Sequence, residues 1–198
     1  MTQPKTLLAM VGAPQEPGRL SDATLVMIDC QNEYVDGLLP LTGIGPALEE
    51  CAKLLEKARL AGTPIIHVVH QGRPGGAFDL DGHGGKIAGA ASPLGDEAIV
   101  QKPLPNAFAN TNLHDLLQAT GRTEIVFAGF QTHMCISSSV RAALDLGYRA
   151  TVVAHAVATR DLPRPDGGVI DAVELHNATL AALADRFAIV ARDANEIG

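Results

Sequence analysis

Continuous apolar runs alternate along the chain with segments whose apolar residues recur at helical spacing. Apolar runs of this length are typical of strands that are buried on both faces of a parallel sheet. A shorter apolar run, AIVQK, ends in Lys102. The five clearest runs are residues 23–29, 64–70, 124–130, 149–155 and 187–192.

Helical patterns fill most of the intervals between these runs. In the first of them, Pro46 suits an opening helical turn, Gly62 suits the end, and Cys51 lies on the apolar face. Strands separated by helices pair in parallel, because a parallel pair needs a long crossover connection. The sequence therefore predicts an α/β fold, a three-layer, doubly wound and mostly parallel sheet with helices on both faces. The predicted helices cover residues 46–62, 110–121, 135–147 and 168–185.

Composition limits the number of domains and the kinds of partner. A chain of 198 residues with 46% hydrophobic content is long enough for one sizeable core. We predict a single domain over residues 23–198, preceded by an N-terminal extension over residues 1–22. The net charge of -7 argues against nucleic acid and anionic membrane surfaces, since phosphate groups attract basic patches.

Cysteine use and apolar segments bear on the compartment. Three cysteines cannot all pair with one another, and none lies in a CxxC arrangement, which is typical of a reducing cytoplasm. The segment LLAMVGA near the N-terminus is weak as a secretory signal, and no apolar segment is long enough to cross a bilayer. We therefore expect a cytoplasmic protein with free thiols and no membrane contact.

Residues 71–95 form a glycine-rich stretch with little periodicity. A segment of this length inside a compact domain is usually a functional or mobile loop, and a lid over the site is one interpretation. A phosphate-binding P-loop is excluded because that motif needs Gly where Leu80 stands and Ser or Thr where Ile87 stands. A calcium loop beginning at Asp79 is disfavoured because Ala90 stands where the closing carboxylate belongs.

Polar side chains follow the predicted strands at the point where each strand ends. Asp29 ends the first run, His70 the second, Lys102 the short run, and Gln131 and Cys135 follow the strand at 124–130. In open α/β sheets, ligands bind outside the carboxyl ends of the strands. An acid, a base and a thiol are therefore expected at one edge of the sheet.

Cys135 is the candidate nucleophile of this group. At the first turn of a helix, free backbone N–H groups and the helix dipole stabilise a thiolate, and Lys102 would lower its pKa further. Asp29 could take the thiol proton or orient the lysine. Each residue also has an ordinary interpretation. Cys135 could be a small buried residue, Asp29 could cap a loop or a helix, and Lys102 could be a solvated surface lysine.

Three separated motifs carry a resemblance to a known family. They are DCQNEY after the first strand, KPLPNAF after the short run, and GFQTHMCISSS at a strand-to-helix turn. In this order they resemble the isochorismatase-like superfamily of cysteine hydrolases, which includes nicotinamidases, carbamoylsarcosine amidohydrolases and isochorismatases. The similarity runs from about residue 22 to the C-terminus.

The resemblance implies a catalytic triad of Asp29, Lys102 and Cys135. It also implies a cis peptide bond between Phe130 and Gln131, and an oxyanion hole formed by the N–H groups of Gln131 and Cys135. The expected reaction is hydrolysis of an amide or carbamoyl C–N bond of a small molecule through a thioester, with no cofactor. Relatives commonly assemble, so a homo-oligomer is expected.

Other side chains near the motifs are candidates for the substrate pocket, although each could equally be ordinary packing. A metal site is not expected, because the Asp-x-His pair of nicotinamidases is absent after the second strand. A set made of His70, Asp79, Asp81 and His83 is conceivable, but its spacing matches no established ligand pattern. The pocket candidates are Tyr34, His70, Phe108, Thr132 and His133.

Three alternative functions remain open. The isochorismatase branch cleaves a vinyl ether instead of an amide, and some of its members lack the cysteine. A catalytically idle relative that only binds small molecules is the second alternative, since fold alone does not establish activity. A redox sensor using Cys30 and Cys135 is the third, and it is disfavoured because Cys30 follows Asp29 with its side chain directed the other way.

Overall fold

The sheet at the centre of the molecule has six parallel strands. A computed structural model describes residues 3–198 of the chain. The strands lie in the order β3-β2-β1-β4-β5-β8, and β6 and β7 form a separate antiparallel pair. The strand bounds are β1 Ala23–Ile28, β2 Ile65–His70, β3 Ala98–Lys102, β4 Glu124–Phe130, β5 Arg149–Ala158, β6 Leu162–Pro163, β7 Val169–Ile170 and β8 Ala188–Ala191.

Helices cover both faces of this sheet, which confirms the predicted three-layer α/β fold. The predicted helix at 135–147 is divided: one turn of π-helix, Thr132–Ile136, precedes a shorter α-helix. Short 3-10 turns lie at Asn32–Tyr34, Gly89–Ala91 and Ala194–Glu196. The α-helices are α1 Leu7–Met10, α2 Ile44–Leu60, α3 Leu113–Ala119, α4 Ser137–Asp145 and α5 Ala172–Arg186.

Two apolar cores lie on the two faces of the sheet. On one face, α2 buries Cys51, Leu54 and Leu55 completely against β1 and its neighbours. On the other face, Leu117 of α3 and Val140 of α4 are fully buried. Alternate residues of each strand serve the two cores, which explains why the strands read as continuous apolar runs.

β1 and β4 pair in the middle of the sheet, and Gly129 makes their close approach possible. Gly129 has φ +111, a conformation that side chains rarely adopt. A Cβ atom there would collide with the carbonyl oxygen of Ile28. The glycine therefore lets the two strands deliver Asp29 and Gln131 to the same edge.

The N-terminal extension packs on the domain that follows it. The Leu7 N–H donates to Asp185 Oδ1 at 2.8 Å, and the Gly18 N–H donates to Thr151 Oγ1 at 2.9 Å. Met1 and Thr2 lie outside the described residues. The division at residue 22 stays a prediction.

The glycine-rich stretch at 71–95 is bonded to the segment that follows β1. The N–H groups of Asn32 and Glu33 donate to the carbonyls of Lys86 and Gly84, each at 2.9 Å. The Gln31 amide also donates to the Gly85 carbonyl at 2.9 Å. These backbone bonds make the stretch an anchored cover, so they do not support a freely moving lid.

Within residues 3–198, no helix is both long enough and apolar enough to cross a bilayer.

Candidate active site

Three buried side chains from separate parts of the sequence meet at the carboxyl edge of the sheet. Asp29 follows β1, Lys102 ends β3, and Cys135 lies in the π-helical turn after β4. Lys102 Nζ is 2.7 Å from Asp29 Oδ2 and 3.3 Å from Cys135 Sγ. Asp29 and Lys102 are 0% exposed, and Cys135 is 3% exposed. The structure thus brings together the three residues that the motifs selected.

The backbone at Asp29 departs from the strand to direct its carboxylate inward. Asp29 has φ 51, in the left-handed region, where Asp is tolerated better than most residues. Its N–H still donates to the carbonyl of Val68 at 2.8 Å. The strand pairing therefore holds Asp29 up to the point at which the chain turns away.

Cys135 is held by the helix that it precedes and by the segment after β3. Its carbonyl accepts from Ser139 Oγ at 2.6 Å, and the same hydroxyl accepts from the Ala107 N–H at 2.9 Å. Ser139 thereby ties the cysteine turn to the chain that carries Lys102. The SSS run after the cysteine contained this residue, but nothing in the sequence distinguished it from its two neighbours.

Electrostatics at Cys135 contradict the expected primed thiolate. Burial raises the pKa of the Cys135 thiol to about 12, and the negative charge of Asp29 acts in the same direction. Lys102 opposes both effects without overcoming them. The direction is opposite to the expectation because burial removes the water that solvates a thiolate, and the Asp29 carboxylate repels its charge. Burial and the Asp29 charge thus favour the neutral thiol over the thiolate.

The surroundings of Asp29 raise the affinity of its carboxylate for a proton. Burial raises the pKa of the Asp29 carboxyl, and the charge of Lys102 partly offsets that increase. A carboxylate that is poorly solvated binds a proton more readily than one in water. The site thus pairs a thiol that ionises less readily than in water with a carboxylate that is a stronger base than in water.

His70 contacts the triad from the end of β2. Its Nδ1 lies 3.3 Å from Lys102 Nζ, and its ring packs edge-on against Phe78 with centroids 5.2 Å apart. Burial and the charge of Lys102 lower the pKa of His70 to about 4. The predicted pocket residue is thus a neutral imidazole beside the lysine.

Tyr34 lies close to the triad, and Gln131 and Arg160 in turn act on Tyr34. The peptide bond between Phe130 and Gln131 is cis. Burial raises the pKa of Tyr34, as do the charges of Asp29 and Cys135, whereas a hydrogen bond from Gln131 and the charge of Arg160 lower it. Tyr34 is therefore close to Asp29 and Cys135, and its predicted contact with substrate stays a prediction.

Two polar atoms of this group lack partners. Gln131 Oε1 and Arg160 Nε are buried and have no hydrogen-bond partner within residues 3–198. Arg160 was not among the predicted pocket residues, and its side chain is only partly exposed. The strand-end rule could have found it, because β5 extends to Ala158, beyond the predicted end at 155. The site thus offers an acceptor and a cationic donor to a bound molecule.

Thr132 and His133 are occupied by contacts within the protein. Thr132 is 0% exposed, and its Oγ1 lies 3.1 Å from His176 Nδ1. His133 is half-buried, with Nδ1 2.6 Å from Thr159 Oγ1. These contacts place both residues in the support of the cysteine turn, so their predicted contact with substrate stays a prediction.

Phe108, the last of the predicted pocket residues, packs against an aromatic ring next to β5. Its ring stacks on Tyr148, with centroids 6.3 Å apart and an interplanar angle of 19°. Tyr148 immediately precedes β5, at the amino edge of the sheet, opposite the edge that holds Cys135. Phe108 is partly buried and packs against the second core. This position does not support a pocket wall.

The side chains named for the metal and redox alternatives make other contacts in the structure. Among residues 3–198, no group of three or more His, Cys, Asp or Glu side chains is arranged to hold a metal ion. Asp79 instead binds the Gly75 N–H at 2.7 Å, and His83 pairs with Asp36 at 2.9 Å. Cys30 and Cys135 belong to cores on opposite faces of the sheet, which argues against a disulfide between them.

Comparison with known proteins agrees with this architecture. The Isochorismatase domain model matches residues 23–195. The chain belongs to the isochorismatase family. A crystal structure of an isochorismatase from Pseudomonas putida KT2440 is 43% identical, with a TM-score of 0.94 over 99% of this chain and 100% of that chain.

Two curated relatives of this isochorismatase-family hydrolase carry names that state different roles. The secreted isochorismatase effector Isc1 of Verticillium dahliae is 37% identical over 90% of this chain and 92% of its own length. Maleamate amidohydrolase of Pseudomonas putida is 30% identical over 74% of this chain and 77% of its own length. The predicted superfamily is confirmed, whereas the cytoplasmic location stays a prediction.

Proposed function

We propose that this hydrolase cleaves the C–N bond of a small amide or carbamoyl compound that also carries an anionic group. The observation on which the proposal rests is the contact of Lys102 Nζ with both Asp29 Oδ2, at 2.7 Å, and Cys135 Sγ, at 3.3 Å. A carboxylate, an ammonium and a thiol buried together have little value for stability, since burying charges costs more than it returns. Their arrangement suits nucleophilic catalysis.

The first step forms a thioester on Cys135. Its Sγ attacks the carbonyl carbon as Asp29 accepts the thiol proton, so the thiolate exists only while the new bond forms. The C–N bond then breaks, and Asp29 returns the proton to the leaving nitrogen, which departs as ammonia or an amine. Lys102 remains a cation between the two groups and offsets the negative charge that passes from one to the other.

Water completes the reaction in the second step. Asp29 accepts a proton from water, the oxygen attacks the thioester carbon, and the C–S bond breaks. The proton returns to the sulfur and frees the Cys135 thiol. An amide substrate gives a carboxylic acid, and a carbamoyl substrate gives a carbamic acid that decomposes to carbon dioxide and ammonia or an amine. The N–H groups of Gln131 and Cys135 would bind the oxyanion in both steps.

Arg160 and Gln131 support the anionic part of the proposal. Arg160 Nε has no partner within residues 3–198, and the charge of Arg160 acts on both Tyr34 and His133. A guanidinium binds carboxylates well because its N–H groups form a planar fork. Gln131 Oε1 could accept from the amide N–H of the same substrate. The name of the relative maleamate amidohydrolase fits such a molecule.

Ammonia release from a matched panel of compounds tests the proposal. Maleamate, its neutral diamide, N-carbamoylglycine and nicotinamide are compared by this assay. Isochorismate contains no nitrogen, so vinyl ether cleavage is measured separately as pyruvate release. We expect turnover of the anionic amides. The variant Cys135→Ala abolishes turnover, whereas Cys51→Ser retains it because Cys51 only donates to the Ala156 carbonyl in the opposite core.

Two further measurements locate the chemistry and the anion. Mass spectrometry of rapidly quenched reactions shows an acyl adduct on the peptide that contains Cys135. Arg160→Leu raises KM for maleamate more than for the diamide. Full activity of Cys135→Ala toward an amide would exclude the thioester. Turnover of isochorismate alone would favour the vinyl ether alternative.

A further inference from the structure

The Lys102 ammonium has three N–H groups and three neighbours that can accept from them. Two of these neighbours are Asp29 Oδ2 at 2.7 Å and Cys135 Sγ at 3.3 Å. The third is His70 Nδ1 at 3.3 Å. Lys102 is 0% exposed, so an N–H without a protein acceptor would lose the hydrogen bond that it makes in water. His70 therefore completes the coordination of a buried cation.

This contact determines the protonation of the imidazole ring. An ammonium has no lone pair and can only donate, so His70 Nδ1 must be the unprotonated nitrogen. The single ring proton is then on Nε2, and the ring is neutral. Burial and the neighbouring cation lower the pKa of His70 to about 4, which keeps the ring in this form at neutral pH.

The position of the ring is fixed from several directions. In the sheet, His70 pairs directly with Lys102 across β2 and β3. The Gln31 side chain accepts from the His70 N–H at 2.8 Å and donates to the His70 carbonyl at 3.0 Å. Phe78 packs against the ring at 5.2 Å. Nδ1 is thus held at the ammonium and has little freedom to leave it.

We propose that His70 is a positioning residue of this hydrolase, whose Nδ1 binds the third N–H of Lys102 and holds the ammonium between Asp29 and Cys135. The proposal rests on the proposed function, because it assigns His70 a part in the same site. Without His70, the free N–H must turn toward solvent in the pocket, and the ammonium moves away from the sulfur. The thiol then loses the one group that favours its ionisation.

Three substitutions separate this role from simple packing. In His70→Asn, the side-chain oxygen lies close to the former place of Nδ1 and can accept from Lys102. In His70→Gln, the amide reaches the place of Nε2, and in His70→Leu no acceptor remains. His155→Leu is the matched control, because His155 is an exposed histidine on β5.

Alkylation of Cys135 by iodoacetamide at a fixed pH is the first readout, since it needs no substrate. We expect His70→Leu and His70→Gln to slow alkylation by about tenfold or more, as for the loss of one charged hydrogen bond. His70→Asn and the control remain within about threefold of the wild-type rate. The second readout is kcat and KM for the best amide of the panel, where kcat follows the alkylation order and KM stays nearly constant.

The outcomes distinguish failure of this inference from failure of the proposed function. If Lys102→Met abolishes turnover but His70→Leu has wild-type alkylation and kcat, the positioning role is wrong and the hydrolase proposal survives. If His70→Asn is as impaired as His70→Leu although both melt at the wild-type temperature, the role of Nδ1 is also wrong. If no panel compound is hydrolysed, the alkylation order alone decides the role of His70.

Discussion

β2 places two histidines on opposite faces of the sheet, and each contacts a different cluster of buried charges. His67 faces the first core, where its Nε2 lies 2.9 Å from Glu97 Oε2. His70 faces Lys102 at the carboxyl edge. Both clusters contain a carboxylate, a cation and an imidazole, but their hydrogen bonding differs.

The Glu97 carboxylate is fully satisfied. It accepts from Arg59 Nε at 2.8 Å and from the Leu94 N–H at 2.9 Å, besides the contact with His67. Burial alone would raise the pKa of Glu97, but these hydrogen bonds and the Arg59 charge lower it to about 2. Such a group keeps its charge at every ordinary pH, and the cluster fastens β3 to α2.

The Asp29 carboxylate has fewer partners and deeper burial. Its pKa is raised by burial, with Lys102 as the main opposing influence. The difference between Glu97 and Asp29 shows how similar side chains serve different purposes. Many donors fix a charge and build structure, whereas few donors leave a carboxylate able to take up a proton.

The largest expected effect is on turnover, measured in two separate variants in which Asp29 or Glu97 is replaced by the corresponding amide. Asp29→Asn removes the proton acceptor, so we expect kcat to fall by about 10²–10⁴-fold. Glu97→Gln leaves kcat close to the wild-type value, because Glu97 lies on the other face of the sheet. Ammonia release measures both, and circular dichroism checks that both variants are folded. Equal losses of kcat would contradict the division into catalytic and structural clusters.

The free energy of unfolding should depend on Glu97, although turnover does not. At neutral pH we expect Glu97→Gln to lower the free energy of unfolding by about 1–3 kcal/mol, since the bonds to Arg59 lose their charged acceptor. The folded pKa of Glu97 is depressed, from 4.5 to about 2, so its contribution is fully present above 4.5 and is lost as the pH falls toward 2. Urea unfolding at several pH values should show the gap between wild type and variant narrowing in that window. A gap that is constant with pH would show that the charge of Glu97 has no part in it.

Thiol reactivity should show the smallest of the three effects. Because the pKa of Cys135 is about 12, its alkylation should accelerate continuously from about pH 6 to pH 9 without a plateau. Asp29→Asn removes a negative charge that disfavours the thiolate, so alkylation should become about tenfold faster although hydrolysis is lost. Peptide mapping distinguishes Cys135 from Cys30 and Cys51, which are buried in the opposite core. An alkylation rate that reaches a plateau below pH 8 would contradict this expectation and support the primed thiolate.

Particular residues show how far the sequence could lead. Asp29, Lys102 and Cys135 were predictable because each follows an apolar strand and because three motifs surround them in order. Their burial and their pKa values were not predictable. Lys102 alone reads as a surface lysine, and the balance between burial and charge at Cys135 depends on distances that only the folded chain defines.

The sequence by itself determined the order of the main strands and helices along the chain, since the period of apolar residues records which faces must be buried. It also determined which side chains would arrive at the carboxyl edge of the sheet. Tertiary structure alone decided that Phe108 turns away from that edge, that Arg160 and Gln131 present unpaired atoms there, and that His70 contacts Lys102. The physical reason is that periodicity is a local property, whereas hydrogen bonding and desolvation depend on neighbours that are distant along the chain.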